Sequence, residues 1–236
     1  MTDVRPEDYL RRSPVYRLLR ETGAVFSELN NAAIVSCVDA THDQDVASNL
    51  GLADLSPLPR VGFKGRATPD WLAAAGVKIP GVPNRARTQD DGTLVARLSN
   101  DEHLFLSDLG CEARMVAELS NAWELEAGRL CYLMPRADTH AWFALTGACA
   151  AEMLSKVCGV DARAQKFDNG CIAQTSIARI NGVLIRHDQG STLGYYVLAD
   201  SASADFLWPC LIDAMQEFDG APVGLDALWS LSSGEQ

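Results

Sequence analysis

Apolar positions with helical spacing predict helices at several places in the chain. One helix is predicted to begin with Ser13 as its capping residue and Pro14 in its first turn, and to end at Gly23. Another is predicted at about 112–122. A long helix is predicted to begin at Ser201, because the residues that follow place an apolar stripe on one face: Ala204, Leu207, Trp208, Leu211, Ile212 and Met215.

A strand–turn–helix pattern occurs twice. Residues 61–75 and 143–157 align at a constant offset of 82, which pairs Gly65 with Gly147. In each copy an apolar strand ends at the glycine, and apolar residues then recur with helical spacing. Thr68-Pro69 predicts a cap and a first-turn proline for the first of these helices. The constant offset indicates an internal repeat.

Hairpins are predicted after both of these helices. The first copy continues with strands at 93–98 and 103–107. The second continues with strands at 171–180, 183–187 and 193–199, and Asn181-Gly182 predicts the first of its turns. Each copy therefore follows the order β-α-β-β-α-β, and we predict an α+β fold made of duplicated ferredoxin-like halves.

Domain organisation follows from this repeat. We expect residues 1–50 to form an N-terminal helix, strand and polar connection packed on the core. Residues 51–236 then form the duplicated domain, with halves at about 58–136 and 139–228. Within the first segment, residues 39–50 are predicted to be a polar connection, and a helical turn within it is left open.

Composition and charge narrow the class of protein. The chain has 236 residues, of which 47% are hydrophobic and 22% charged, as in ordinary globular proteins. A net charge of −11 argues against binding to nucleic acid. No apolar run is long enough to span a membrane, and the polar N-terminus does not resemble a secretory signal. Seven scattered cysteines without a C-x-x-C pair indicate reduced, buried thiols, so we expect a cytoplasmic protein.

Motifs for common cofactors are missing from the sequence. We find neither a Gly-x-Gly-x-x-Gly loop nor a phosphate-binding Gly-Lys-Ser/Thr loop, and the four histidines are too dispersed to predict a metal site. His187-Asp188 is interpreted as a surface turn, and Cys171 as a packed core thiol. The chain is therefore expected to bind no metal and no dinucleotide.

Several stretches resemble the folate-binding region of the glycine-cleavage T-protein, an aminomethyltransferase. They are Ser13-Pro14-Val15-Tyr16, Leu52-Ala53-Asp54-Leu55-Ser56, Val61-Gly62-Phe63-Lys64-Gly65, Ile177-Ala178-Arg179 and Gly194-Tyr195-Tyr196. A closer resemblance is to the gamma subunit of heterotetrameric sarcosine oxidases, a short member of the same superfamily. It is carried by Arg60-Val61-Gly62-Phe63-Lys64-Gly65, Pro83-Asn84-Arg85, Asn100-Asp101-Glu102 and Cys171-Ile172-Ala173-Gln174-Thr175.

The second resemblance implies an accessory subunit of a hetero-oligomer. Such a complex oxidises N-methyl amino acids and passes the one-carbon unit to tetrahydrofolate. FAD, FMN and NAD are then expected on larger flavoprotein partner chains, and tetrahydrofolate is the one cofactor that could reach this chain. The opening at 13–38 keeps an alternative open: a stand-alone folate-binding protein or a trimmed aminomethyltransferase.

The carboxylates that the T-protein uses to hold folate are replaced here. The resemblance aligns them with the strand 92–96, with the stretch 182–187 and with Tyr196, none of which carries a carboxylate. An aminomethyl transfer needs an acid, a base or an electrostatic group near the reacting nitrogen. We therefore predict a non-catalytic subunit.

Four polar residues are candidates for binding a ligand or a partner. Gln174 and Arg179 lie on a predicted strand beside a cleft, and each could instead form cross-strand hydrogen bonds. Arg60 and Lys64 flank the first repeated strand and could meet an acidic partner or a folate glutamate tail, or simply be surface charges. No catalytic residue is predicted.

Overall fold

The computed structural model describes residues 4–233, so the ends of the predicted segments 1–50 and 51–236 lie partly outside the described residues. Two compact units make up the chain. The first contains residues 4–57, 140–169 and 173–233, and the second contains Leu58–Thr139 with Gly170–Ile172. Helices and strands are mixed in both units, which confirms the predicted α+β class.

The first unit contains two sheets. A small one has the strand order β1-β3-β2, and a six-stranded one has the order β11-β12-β13-β10-β4-β14. These strands are β1 (Arg11–Arg12), β2 (Val25–Leu29), β3 (Ala32–Cys37), β4 (Gly51–Asp54), β10 (His140–Thr146), β11 (Ile172–Ile177), β12 (Ile180–Arg186), β13 (Gly194–Asp200) and β14 (Ala221–Pro222). The helices are α1 (Tyr16–Glu21), α2 (Asp43–Leu50), α6 (Ala150–Val157), α7 (Ala204–Met215) and α8 (Leu225–Ser233).

Alternation along these strands separates the two faces of the large sheet. On β10, Phe143 points towards α7, where its ring meets that of Trp208 at a centroid distance of 5.1 Å. Trp142 points to the opposite face, since successive side chains alternate along a strand. It contacts Tyr196 of β13 there, with the ring centroids 5.1 Å apart. This second face carries the aromatic and polar cluster described below.

The second unit is built around one five-stranded antiparallel sheet of order β6-β7-β8-β5-β9. The strands are β5 (Arg60–Lys64), β6 (Arg85–Thr88), β7 (Leu94–Arg97), β8 (Glu102–Leu106) and β9 (Tyr132–Met134), and the helices are α3 (Thr68–Ala74), α4 (Met115–Ala122) and α5 (Arg136–Thr139). Its core joins the two longer helices to one face of the sheet through Phe63, Leu72, Phe105 and Leu119.

The two glycines paired by the repeat occupy equivalent turns. Gly65 and Gly147 have φ of +135° and +109°, where a side chain is strained. A Cβ on Gly65 would lie 2.2 Å from the carbonyl oxygen of Leu130, and one on Gly147 would lie 2.3 Å from that of Asn49. In both turns the residue two positions after the glycine donates its N–H to that carbonyl at 2.9 Å. Both glycines therefore bring the chain against a neighbouring segment too closely for any side chain.

The segment that approaches Gly65 follows it in the sequence, whereas the segment that approaches Gly147 precedes it. Leu130 lies two residues before β9, and Asn49 lies two residues before β4. The orders β6-β7-β8-β5-β9 and β11-β12-β13-β10-β4 therefore correspond, with β4 in the place of β9. A strand from the start of the chain thus occupies the position that a later strand occupies in the other unit. Sequence order alone did not indicate this exchange.

Two local predictions were wrong, one strand was not predicted, and one helix is longer than expected. The hairpin turn falls at Ala178-Arg179, so Asn181-Gly182 lies inside β12. Thr68 does not cap α3, since Ala67 occupies the cap position and no side chain bonds there. Strand β6 was not predicted, because its sequence Arg-Ala-Arg-Thr is mostly polar. Residues 43–50 form a helix, α2, which is longer than the helical turn left open for this polar connection.

Gly182 is needed inside β12 for a packing reason. A Cβ there would lie 3.0 Å from the carbonyl oxygen of Leu198 and 3.3 Å from the side chain of Ile177. The glycine marks a close approach between strands, which a sequence pattern does not distinguish from a turn. The turn itself uses two residues with φ of +48° and +68°, a conformation rarely adopted by Ala and Arg.

Candidate functional site

A polar groove of about 430 Å³ lies on the large sheet of the first unit. His140, Gln174, Thr175, Ser176 and Asn181 supply its polar groups, and Val183 and Leu198 contribute apolar surface. None of the described residues that line it is Lys, Arg, Asp or Glu. We call it the Gln174 groove. It offers amide, hydroxyl and imidazole groups to a ligand and no fixed charge.

Gln174 and Arg179 belong to the same hairpin but have different surroundings. Gln174 is exposed on β11 and lines the groove. Arg179 is exposed at the tip of the β11–β12 turn and is not among the groove residues. The structure therefore brings one of these two predicted residues to a concave surface.

Arg60 and Lys64 lie at opposite ends of β5 in the second unit. Arg60 is only 4% exposed, and its guanidinium donates to the carbonyls of Leu58, Arg136 and Ala137 at 2.9 to 3.1 Å. It therefore holds the segment around α5 against the sheet. Lys64 is exposed and pairs with Glu102 at 2.7 Å. Of this pair, Lys64 alone is accessible to an acidic ligand.

An aromatic cluster surrounds Tyr196 in the first unit. The Tyr196 ring packs against Trp142 and lies 4.9 Å from the imidazole of His187. Its hydroxyl accepts a hydrogen bond from the amide of Gln189 at 3.2 Å, and Gln189 in turn accepts one from the hydroxyl of Ser232 at 2.7 Å. Tyr196 is therefore buried and bonded where the T-protein resemblance expects a carboxylate.

His187 is electrically neutral at physiological pH. Desolvation lowers its pKa to about 4, and the nearby Asp188 carboxylate opposes that shift only in part. Asp188 is engaged instead by the Arg186 guanidinium, through two bonds of 3.0 and 2.8 Å, and this pairing raises the pKa of Arg186. His187-Asp188 is thus part of a packed network, and its interpretation as a surface turn was wrong.

Arg186 also fixes the segment that leads towards β11. Its second terminal nitrogen donates to the carbonyls of Ala164 and Phe167, at 3.1 and 2.7 Å. The ring of Phe167 stacks on that of Tyr195, with centroids 6.5 Å apart. The charged groups beside the cluster, Arg186 and Asp188, therefore bond to each other and to backbone carbonyls, and these bonds stabilise the fold.

The side chains present do not fit the folate chemistry of the T-protein. In the second unit, Val95 and Ala96 stand on β7 at the carboxylate positions of the resemblance, and both are fully buried. In the first unit, the third position is the phenol of Tyr196, whose oxygen accepts a hydrogen bond from Gln189. A phenol and two aliphatic side chains therefore stand at three of the positions where the resemblance places carboxylates.

Cysteines and metal-binding residues add no further chemistry to this site. Within residues 4–233, no group of three His, Cys, Asp or Glu side chains could hold a metal ion. All seven cysteines are described and free of disulfides, with Cys131 and Cys158 buried and the rest half-buried. Cys171 is half-buried, and its sulfur accepts a bond from Arg85 at 2.9 Å, so it is not the fully packed core thiol that we expected.

Sequence reasoning missed two members of the cluster. Trp142 begins an apolar run in which several residues could equally face either side of the sheet. Gln189 precedes Gly190, a sequence typical of a turn, and its bond to Ser232 spans 43 residues. A pattern within a short window contains no signal for a contact of that kind.

The helices between residues 4 and 233 are all too short or too polar to cross a bilayer.

Comparison with solved structures gives two likenesses of fold. One is to a chain of the heterotetrameric sarcosine oxidase from Corynebacterium sp. U-96, with 22% identity and a TM-score of 0.63 over 90% of this chain and 98% of that one. The other is to the glycine cleavage system aminomethyltransferase T from Bartonella henselae, with 19% identity and a TM-score of 0.71 over 94% of this chain. This chain spans 62% of the length of that enzyme.

No curated protein matches the sequence. The family model of the GCVT N-terminal domain matches residues 81–233, and the superfamily that the sequence resembles is thereby confirmed. Because the match extends over more than half of its length, the chain belongs to the family of the GCVT N-terminal domain.

Proposed function

We propose that this chain is an accessory, gamma-like subunit of a heteromeric, sarcosine-oxidase-like oxidoreductase that acts in the cytoplasm on N-methyl amino acids. Its own role is structural, and the oxidation takes place on larger flavoprotein partner chains that carry FAD, FMN and NAD. The one-carbon unit released by that oxidation passes to tetrahydrofolate elsewhere in the complex.

The observation that carries this proposal is the buried Tyr196 cluster. An independent aminomethyltransferase would need an accessible charged group there, whereas this chain has a phenol closed in by Trp142, His187 and Gln189. The fold likeness to almost the whole length of a chain from a heterotetrameric sarcosine oxidase supports the same assignment. A fold that keeps its core but lacks the reactive groups suits a subunit that positions others.

The Gln174 groove and the exposed Lys64 are the places where such a subunit could meet a neighbour or a ligand. The groove is neutral and polar, whereas Lys64 sits beside Glu102 on an open edge. Arg60 and Arg179 are weaker candidates, since Arg60 is buried against carbonyls and Arg179 stands at a turn.

The division of the duplicated domain into halves at about 58–136 and 139–228 remains a prediction, which the equivalent glycine turns support.

Purification from the native host tests this proposal. The chain, tagged at its chromosomal locus, is expected to elute in a hetero-oligomer that shows flavin absorption and consumes oxygen when sarcosine is added. Truncation of the Gln174 side chain provides a variant for the groove, and Ser155→Ala on α6 is a matched surface control. Elution of the tagged chain as a monomer alone, with no flavoprotein in any fraction, would contradict the proposal.

A second candidate is a stand-alone folate-binding protein or a trimmed aminomethyltransferase. The observation in its favour is the high TM-score to an aminomethyltransferase over nearly all of this chain. Titration calorimetry with tetrahydrofolate distinguishes the two, because this candidate requires saturable heat from the isolated chain. Because Tyr196 stands where the resemblance expects a carboxylate, we expect no such heat.

A further inference from the structure

The Gln174 groove has an apolar row at its floor. The two-residue turn between β11 and β12 places Gln174 opposite Val183, and Val183 lies opposite Leu198 on β13. Directly opposed side chains share a face, so all three point to the same side of the sheet. Val183 is half-buried, and Leu198 is fully buried beside it. The row crosses two strand spacings, about 10 Å, which is the length of about three residues of extended chain.

A second row supplies hydrogen-bonding groups next to this floor. The same turn places Ser176 opposite Asn181, two residues nearer the hairpin tip than the first row. Both side chains are exposed, and neither bonds to another residue between 4 and 233. A hydroxyl and a primary amide each offer both a donor and an acceptor. They therefore match the peptide group, which has one of each.

Charged residues border the groove without lining it. Arg179 stands at the exposed tip of the hairpin. Asp200 pairs with His140 in the register of β13 and β10, but its carboxylate accepts the N–H of Ala202 at 2.8 Å and is not among the groove residues. The two bordering charges have opposite signs, so neither sign of ligand charge is favoured. A charged group placed over the apolar floor would lose water without gaining a partner, so the occupant is uncharged there.

The groove is open at the edge of the sheet. Strand β11 is the outermost strand of its sheet, and Gln174 and Ser176 on it are exposed. An occupant can therefore continue past the sheet edge in place of being enclosed. A polypeptide fits this arrangement, because a short stretch lies in the groove while the chain on either side belongs to a larger partner.

We propose that the Gln174 groove holds an extended, uncharged segment of about three residues from another subunit of the same oxidoreductase. An apolar side chain of that segment packs over Val183, and its peptide groups bond to Ser176 and Asn181. This inference rests on the proposed function, because it requires a hetero-oligomer. It adds the surface that the chain uses and the chemistry of the segment that the surface receives.

Site-specific photo-crosslinking in the native host tests the occupant. A benzophenone amino acid in place of Ser176 is expected to cross-link to a flavoprotein subunit, and mass spectrometry is expected to place the link in a segment without Lys, Arg, Asp or Glu. The same probe in place of Ser155, an exposed serine of α6, is the matched control. A link to a charged segment or to a second copy of this chain, equal linking at both positions, or no link from position 176 in an intact complex overturns the proposal.

Substitutions provide a quantitative test with the purified flavoprotein partner. Asn181→Asp keeps the shape of the side chain but adds a charge beside the floor, and we expect it to weaken binding at least about tenfold. Asn121→Asp, at an exposed position of α4, is the matched control and should leave the affinity within about twofold. Circular dichroism should show both variants folded.

Salt dependence provides a further readout, because the proposed contact contains no charge. The affinity of the native chain should change less than about threefold between about 0.05 M and about 0.5 M salt. If the native chain co-purifies with a flavoprotein and Asn181→Asp binds it as tightly, or if salt weakens the native complex more than about tenfold, the groove proposal is wrong and the proposed function stands. If no flavoprotein co-purifies with the native chain, both fail.

Discussion

At the scale of single residues, burial changes the pKa of a histidine in the core. His103 stands on the central strand β8, is 1% exposed, and has no hydrogen-bond partner at either ring nitrogen. Desolvation and the neighbouring Arg97 charge lower its pKa to about 4, against the opposing effect of Asp101 and Glu102. The imidazole is therefore neutral in the folded chain and behaves as a core side chain.

This burial predicts a pH dependence of stability. Between the ordinary histidine pKa of 6.5 and the folded value near 4, the unfolded chain binds more protons than the folded one, so stability falls as the pH is lowered through that range. The loss attributable to His103 reaches up to about 3 kcal/mol. We expect His103→Leu to reduce the loss of unfolding free energy between pH 7 and pH 4.5, measured by urea titration.

A control separates this effect from the general loss of a histidine. His42 is exposed, so His42→Gln removes a histidine from the surface and leaves the buried His103, with the pH dependence that it produces, in place. A His103→Leu variant whose stability falls with pH as steeply as the native chain would show that other groups produce the dependence.

At the scale of elements, the cost of replacing a glycine depends on how closely the neighbouring backbone approaches it. Gly147 and Gly76 both have positive φ, but a Cβ on Gly147 meets backbone atoms at 2.3 Å whereas one on Gly76 meets nothing within 4 Å. We expect Gly147→Ala to destabilise the protein by about 3 kcal/mol or more, and Gly76→Ala by about 1 kcal/mol. Thermal unfolding measures both, and equal losses would mean that the close approach to Asn49 is relieved by a shift.

The β11–β12 hairpin can be improved, because its turn is strained. Ala178 and Arg179 both have positive φ, which type I′ turns require and which Asn-Gly adopts readily. We expect the double substitution Ala178→Asn and Arg179→Gly to stabilise the protein by about 1–2 kcal/mol, as measured by chemical denaturation. Arg179→Lys keeps the strain and should change nothing. A destabilised double variant would indicate that Arg179 makes a contact the turn needs.

At the scale of the whole molecule, one carboxylate joins distant parts of the chain. Asp43 at the start of α2 is 8% exposed and accepts bonds from the backbone N–H groups of Val38 and Asp39 at 2.8 Å, and of Gly224 at 3.1 Å. The last of these spans 181 residues. It ties the beginning of the chain to the segment before α8, within the first unit.

Removal of this carboxylate should therefore be costly. We expect Asp43→Ala to lower the free energy of unfolding by about 3 kcal/mol or more, because it leaves three N–H groups without an acceptor. Asp45→Ala, in the same helical turn but exposed, should change it by less than about 0.5 kcal/mol. Similar losses in the two variants, measured by denaturant titration, would show that the Asp43 bonds contribute little.

The sequence by itself determined the class of fold, the family, the long apolar stripe of α7 and the pairing of Gly65 with Gly147. Each of these rests on a period or an offset, because burial of one face of an element leaves a repeating pattern in the residues that form it. The absence of the T-protein carboxylates could likewise be seen from position along the chain.

Only the tertiary structure decided where the polar residues act. It buried Arg60 against carbonyls, placed Arg179 at a turn, left Gln174 in a groove, and substituted β4 for β9 as the neighbour of a repeated strand. These outcomes depend on contacts between residues far apart in sequence, such as the bond from Ser232 to Gln189. A local pattern records which face of an element is buried, but the partner that buries it is set by the folded chain.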